Sequence, residues 1–509
     1  PNSARSTVMM EVVMLVALLG AAHAFKQPRT TDLVTELPGF TAPWPFKVYS
    51  GYLQVPGPFK LNDYDELEIH YQLHTSQKDP ANDPIVTWHQ GGPGGSSIDV
   101  GLYTEMGYFQ ISDKGQYVNE YAWNRVANML YLESPAGSGQ SSGYSTCIKG
   151  GVAVACKWDD VSQAEAYAHT LVAFKKAFPE FADNPLYLTG ESYFGQYGPN
   201  IATFILNNAP FNMTLGLAGI AAGNACWGGT DSSVDCNGPN EEQNDVDMYF
   251  GKGLVSKKLY MQVYDVCKFP EISAECSHLL DQASQEMGPH NVYNIYDNCP
   301  DSGLREKLRA AGKSMRWLKQ QLRQQLLPGA TSTLNSELLQ TANSSKFGLA
   351  STTGGFDWSC GGMSATATWI TRADVRAALH LKSAPAASSF AYATSGPASI
   401  VLWPALAQRI RVLIYNGDAD ACVPYKGNEE WVGQLENDGV IKQRDAWRPW
   451  FAVSSARAPS GYVTTFEVPA NPAVDFSFLT IRLAGHMVPT FQPAAAFAFF
   501  DRFLSASPF

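Results

Sequence analysis

The segment Leu186-Tyr187-Leu188-Thr189-Gly190-Glu191-Ser192-Tyr193-Phe194-Gly195 constrains this chain more than any other. A short apolar strand pattern runs into a turn of small residues, and a helix-like stretch follows toward Leu206. Ser192 sits at the turn. A serine whose Oγ must stand clear at a strand tip needs small neighbours, because its own backbone is strained there. Here the second glycine falls one place later than in the pattern G-x-S-x-G. A serine at such a turn can also do no more than cap the helix, and the segment alone leaves both readings open.

The rest of the chain has a matching rhythm. Two alternating stretches, Phe46 to Val55 and Glu66 to Thr75, read as an antiparallel hairpin or meander. Short buried strands are expected at Ile85 to Trp88, Asn128 to Glu133, Pro185 to Thr189, Leu215 to Ala221, Val412 to Tyr415 and Phe478 to Leu483. Amphipathic segments such as Asp160 to Phe178 lie between some of them, which predicts an α/β fold, a mostly parallel mixed sheet with flanking helices. Between Cys226 and Cys360 the rhythm breaks: cysteines cluster, a charged, Gln-rich helical stretch runs from Asp301 to Leu327, and a polar stretch follows. We read 226–360 as an inserted cap between an N-terminal core part, 25–225, and a C-terminal core part, 361–509. Ser, Thr, Asn and Gly dominate Gly329 to Gly355, an exposed loop and a candidate processing site.

The apolar run Val12 to Ala22 ends in Ala22-His23-Ala24, so residues 1–24 are read as a secretory signal peptide, with Met9 or Met10 as the start and 1–8 as a non-native leader. That run is too short to span a bilayer, and no membrane span is expected in the mature chain. Nine cysteines then suggest disulfides. Local pairs are Cys147 with Cys156, Cys226 with Cys236 and Cys267 with Cys276; Cys299 and Cys360 would close a longer loop, leaving Cys422 as the odd thiol, either near the pocket or a small buried hydrophobe. No CxxC pair exists, and no metal site is expected. Asn212 and Asn343 fit the N-glycosylation acceptor pattern. A net charge of -11 argues against nucleic acid as a partner.

A serine hydroxyl is a weak nucleophile until a base takes its proton, so Ser192 needs a histidine held by a carboxylate. Asn416-Gly417-Asp418-Ala419-Asp420 ends a buried strand with two acids, and Gly485-His486-Met487-Val488-Pro489 follows another strand. Ser, Asp, His is the chain order of α/β-hydrolases. Asp420 is chosen over Asp418, which directly follows Gly417 and is better placed to brace the turn. Acyl transfer also needs donors aimed at the developing oxyanion. The loop Trp88-His89-Gln90-Gly91-Gly92-Pro93-Gly94-Gly95-Ser96-Ser97 offers backbone N–H groups that no side chain obstructs, and the Tyr193 N–H is the second donor. The Lys and Ser/Thr ending of a phosphate-binding loop is absent.

Together these motifs resemble the serine carboxypeptidases across Phe40 to Leu504: Gly-Gly-Pro-Gly-x-Ser-Ser at 91–97, Gly-Glu-Ser-Tyr-x-Gly at 190–195, Gly-Asp-x-Asp at 417–420 and Gly-His-Met-Val-Pro at 485–489. The resemblance implies an α/β-hydrolase fold with a cap, and peptide C-termini cut by an acyl-enzyme route at acidic pH without metal or cofactor. It implies Ser192, Asp420 and His486 as triad, the Gly92 and Tyr193 amides as oxyanion hole, and Gln90, Gly91 and Glu191 with Glu105 nearby as the substrate-carboxylate site. A monomer or homodimer that is secreted, vacuolar or lysosomal would fit. Two positions depart from the family pattern: Gln90 stands where Asn is usual, and Gly95 where a cysteine usually ties the loop down. A related acyltransferase would keep the same triad, and an inactive hydrolase fold that binds a partner is the reading from another class.

Overall fold

The computed structural model describes residues 29–112, 115–139, 144–228, 236–288, 290–296, 364–382 and 390–509. Its central sheet contains β1 (Val48–Pro56), β2 (Glu66–His74), β3 (Ile85–His89), β4 (Asn128–Leu132), β5 (Leu186–Glu191), β6 (Leu217–Gly223), β7 (Arg411–Gly417), β8 (Lys442–Trp450), β9 (Gly461–Glu467) and β10 (Asp475–Ile481). These lie in the order β1-β2-β4-β3-β5-β6-β7-β10-β9-β8. From β4 to β10 every neighbouring pair is parallel. Antiparallel strands close both sides.

Both faces of the parallel region are covered, which is why its strands read as continuous apolar runs. In β4, Leu130 and Leu132 enter one buried cluster while Met129 and Tyr131 enter the cluster on the opposite face. Helix α1 (Ser97–Met106) is a π-helix, followed by α2 (Asp160–Ala177) and α3 (Phe194–Asn207), which leads directly from the Ser192 turn. Helix α2 starts where expected because Asp159 and Ser162 form a capping box, and Ala164, Ala168 and Leu171 share its buried stripe.

The strands expected from the sequence are all present, with shifted ends. The last begins at Asp475 and stops at Ile481, because Leu483 adopts φ 59 and turns the chain toward His486. Strands β8 and β9 carried no clear signal. Lys, Gln, Arg and Asp along β8 keep an exposed edge from pairing with other chains, and that same polarity hides it from a hydrophobic-pattern reading.

Helices α4 (Glu241–Gly251), α5 (Lys257–Val266) and α6 (Ala274–Met287) form a separate apolar cluster around Val246, Leu259, Val263 and Leu280. Cys267–Cys276 closes the turn between α5 and α6, and Cys147–Cys156 and Cys226–Cys236 are also bonded. The expected signal segment 1–24, Cys299, Cys360, Asn343, Asp301 to Leu327 and Gly329 to Gly355 lie outside the described residues. Among the described residues no helix is long and apolar enough to cross a membrane, and no group of His, Cys, Asp and Glu could hold a metal ion.

Candidate active site

The C-terminal ends of the parallel strands converge, as ligand sites in such sheets do. The nucleophile candidate comes from β5, the glycine loop from β3, and the acid and base candidates from the loops after β7 and β10. Ser192 follows β5 with φ 62, a left-handed conformation that costs an L-residue energy and persists only when its surroundings enforce it. Its N–H donates to the Gly223 carbonyl at 2.9 Å, and its own carbonyl accepts from Gly195 and Cys226 at 2.9 Å each. A Cβ on Gly195 would lie 2.1 Å from the Cys226 carbonyl oxygen, so this glycine is required where it stands, three residues after the serine.

His486 donates its backbone N–H to the Tyr293 carbonyl at 2.7 Å, and its Nδ1 lies 2.7 Å from Asp420 Oδ2. With Nδ1–H donated to that carboxylate, Nε2 is left as the acceptor. Burial alone would push the imidazole pKa down, but the charge and hydrogen bond of Asp420, with Glu191 adding, hold it above its ordinary value. Asp420 also accepts from Asn224 Nδ2 at 2.7 Å and from the Cys422 N–H at 2.8 Å. Asp418 instead accepts the Leu483 N–H at 2.8 Å and pairs with Lys252 at 2.9 Å, so it braces the histidine loop.

The glycine loop lies against the Ser192 turn. A Cβ on Gly91 would stand 2.5 Å from the Tyr193 nitrogen and 2.6 Å from Ser192 Cβ. Among the described residues neither the Gly92 nor the Tyr193 amide has an acceptor. Gly91→Ala must therefore push loop and turn apart; a displacement of about 1 Å at reacting groups costs about 100-fold. We expect kcat to fall at least that far, with folding checked by a thermal melt, and unchanged kcat would show that the loop does not need this closeness.

Glu191 and Glu105 are buried together. Gln90 Nε2 donates to Glu191 Oε1 at 2.6 Å, while Gln90 Oε1 accepts from Trp88 Nε1 at 2.9 Å. Burial, then the neighbouring Glu191 charge, drives the Glu105 pKa well above the carboxylate range. Burial also raises Glu191, to about 7, against the opposing pull of His486 and of hydrogen bonds from Gln90 and Glu105. Glu105 thus keeps its proton beside Glu191. Glu191 Oε2 is buried and has no hydrogen-bond partner among the described residues.

A Cβ on residue 95 would lie 2.8 Å from the Gly91 carbonyl oxygen and 2.9 Å from Gln90 Cγ, so the loop leaves no room for a side chain at 95.

Three residues were missed by the sequence reading. Asn224, at φ 41 after β6, accepts the Gly417 N–H at 3.0 Å while holding Asp420. Tyr293 belongs to a strap, 290–296, whose Val292 carbonyl accepts the Ala421 N–H at 2.9 Å. The Tyr293 ring is 5.1 Å from that of His486, and the neighbouring Cys422 charge, then burial, raises the tyrosine pKa. Cys422 lies outside the three disulfides, with its backbone N–H on Asp420. Asp160 is the third, discussed below. Asn212 lies on the surface helix Ala209–Leu215, away from these groups. The strand-end asparagine of Ala221-Ala222-Gly223-Asn224 was the only local signal for Asn224, and nothing periodic marks 290–296.

A parallel-centred sheet with a strained serine, an Asp–His pair and a glycine loop at its strand ends defines an α/β-hydrolase. The chain belongs to the serine carboxypeptidase family, whose sequence model matches residues 38–506. It is similar to the lysosomal protective protein of Mus musculus, at 31% identity over 530 residues covering 98% of both chains. It is also similar to serine carboxypeptidase-like 20 of Arabidopsis thaliana, at 29% identity over 98% of both. Among solved structures, Kex1, a prohormone-processing carboxypeptidase from Saccharomyces cerevisiae, superposes with TM-score 0.61 at 20% identity, covering 94% of this chain and 96% of that one. The family and fold expected from the sequence both hold, and the chain is a serine-type carboxypeptidase, a hydrolase of peptide bonds.

Proposed function

We propose that this chain removes single residues from peptide C-termini at acidic pH, with Ser192 as nucleophile, His486 as base and Asp420 as its orienting acid. The observation that carries the reading is the buried Glu191–Glu105 pair, with Glu191 Oε2 unpartnered beside the nucleophile candidate. Ser192 Oγ attacks the last peptide carbonyl as His486 Nε2 takes its proton, and the Gly92 and Tyr193 amides receive the oxyanion. The departing amine takes that proton and leaves as a free amino acid; water activated by His486 then releases the shortened peptide. The substrate carboxylate rests on protonated Glu191, the Gln90 amide and the Gly91 N–H. An acyltransferase has no comparable need for a buried carboxyl pair, which favours hydrolysis at a chain end.

We further propose that α4 to α6 belong to a cap over the site, and that the chain travels the secretory route to a secreted, vacuolar or lysosomal location, as its disulfides and N-terminal signal suggest.

The pH dependence tests this. Below about pH 7 Glu191 is protonated and donates to the substrate carboxylate; above it, an ionised Glu191 repels the substrate. KM for free-acid peptides should climb about tenfold per pH unit above that point, since each unit leaves about a tenth of the protonated form. His486, with its raised pKa, must lose its proton to act, so kcat should hold or rise over the same range. Glu191→Gln should flatten the rise in KM, and C-terminally amidated peptides should show little of it. A KM that stays flat from about pH 4 to about pH 8 would overturn the proton-sharing site.

A further inference from the structure

We propose that Asp160 is a positioning residue for this reaction, holding the oxyanion hole from behind through Tyr193 on one side and through Tyr392 and Tyr197 on the other. The proposal rests on the reading in which Gly92 and Tyr193 receive the oxyanion.

Asp160 is the first residue of α2 and is fully buried. Its Oδ1 accepts hydrogen bonds from the Tyr193 hydroxyl at 3.0 Å and the Tyr392 hydroxyl at 2.8 Å, and its Oδ2 accepts the Ser395 N–H at 2.8 Å. Helix capping does not require it, because Asp159 and Ser162 already cap α2. A carboxylate without a basic partner is costly to bury: among the described residues no Lys or Arg pairs with it, and burial raises its pKa to about 6 despite three donors. What Asp160 does hold is aromatic. The Tyr193 ring packs edge-on against Tyr197 at 5.0 Å and Tyr392 at 5.8 Å, and Tyr197 against Tyr392 at 5.6 Å.

The second arm reaches the glycine loop. Tyr392, whose hydroxyl donates to Asp160, packs its ring against that of Tyr197 at 5.6 Å. Tyr197 in turn accepts the Gly94 N–H at 3.2 Å, two residues beyond Gly92. Gly94 also lies against Phe390, on the strand that carries Tyr392; a Cβ there would stand 2.6 Å from that ring. The two amides of the oxyanion hole come from separate loops, and one carboxylate fixes the spacing of both. Oxyanion stabilisation depends on donors set in place before charge develops, so loosening this anchor should cost rate and leave substrate binding nearly intact.

The test compares Tyr193→Phe, Tyr392→Phe and Asp160→Asn in the full chain, with Ser192→Ala alongside. We expect kcat to fall about 10- to 100-fold, by the cost of a misplaced donor, with KM changed less than about threefold. Adding Tyr193→Phe to Asp160→Asn should cause no further loss. A peptide aldehyde provides a second readout: Ser192 Oγ bonds to the aldehyde carbon, the carbonyl electron pair becomes an oxyanion in the hole, and the serine proton passes to His486. Its affinity should fall with kcat while that of a product peptide stays constant. Lower melting temperatures with kcat within twofold, or additive losses, would overturn the assignment of Asp160. If Ser192→Ala itself still cleaves peptides, the reading of the site is what fails, and this proposal with it.

Discussion

Ser192→Ala and His486→Ala are each expected to lower kcat about a millionfold, and the double variant should be no worse than either alone. A nucleophile and its base act as one unit, so deleting the second member after the first removes nothing more. The structure gives this a specific form. His486 is locked by the Tyr293 carbonyl at its N–H and by Asp420 at Nδ1, which leaves Nε2 as its only free function. Folding should survive both changes, because Ser192 is held through its backbone to Gly223, Gly195 and Cys226, and Ala keeps those bonds. Losses that multiply in the double variant, measured against an unchanged thermal melt, would separate the two residues mechanistically and remove the triad.

The second large effect separates two acids two residues apart. Asp420→Asn should cost about 10⁴-fold in kcat, the loss expected when an orienting carboxylate becomes an amide and the imidazole is held in the wrong tautomer. An amide at 420 must also meet two donors at once, His486 Nδ1–H and Asn224 Nδ2, where Asp420 Oδ2 now accepts both. Asp418→Asn should cost less than about tenfold, because it braces Leu483 and Lys252 and does not touch the imidazole. Its effect should fall on stability, where removing one partner of a charged hydrogen bond is worth about 1–3 kcal/mol. The reverse ranking of the two variants would assign the wrong acid.

Sequence pattern and structure agree where one residue type has one physical reason to be present. The glycines at 91 and 195 were readable because a Cβ there would strike backbone, and the apolar strands because both sheet faces are buried. Three disulfides followed from short separations along the chain. Other features had no local sign. Asn224 lies 196 positions from Asp420, and Asp160 lies 33 positions from Tyr193 and 232 from Tyr392; only the fold brings them together. Asp160 looked like a first-turn helix acid, an ordinary place for a carboxylate. The departures at Gln90 and Gly95 could be noticed in the sequence, but the crowding at residue 95 by the Gly91 carbonyl and Gln90 is visible only in the fold.

The most direct test of the account is a timed digestion of one peptide as free acid and as C-terminal amide, read by mass spectrometry at about pH 5, below the Glu191 transition near 7. The account predicts a ladder of products shortened one residue at a time from the C-terminus of the free acid, with the N-terminus intact, the amide cut far more slowly, and no cleavage by Ser192→Ala. Internal fragments, equal cleavage of acid and amide, or acyl groups passed to an added alcohol with no amino acid released would contradict it.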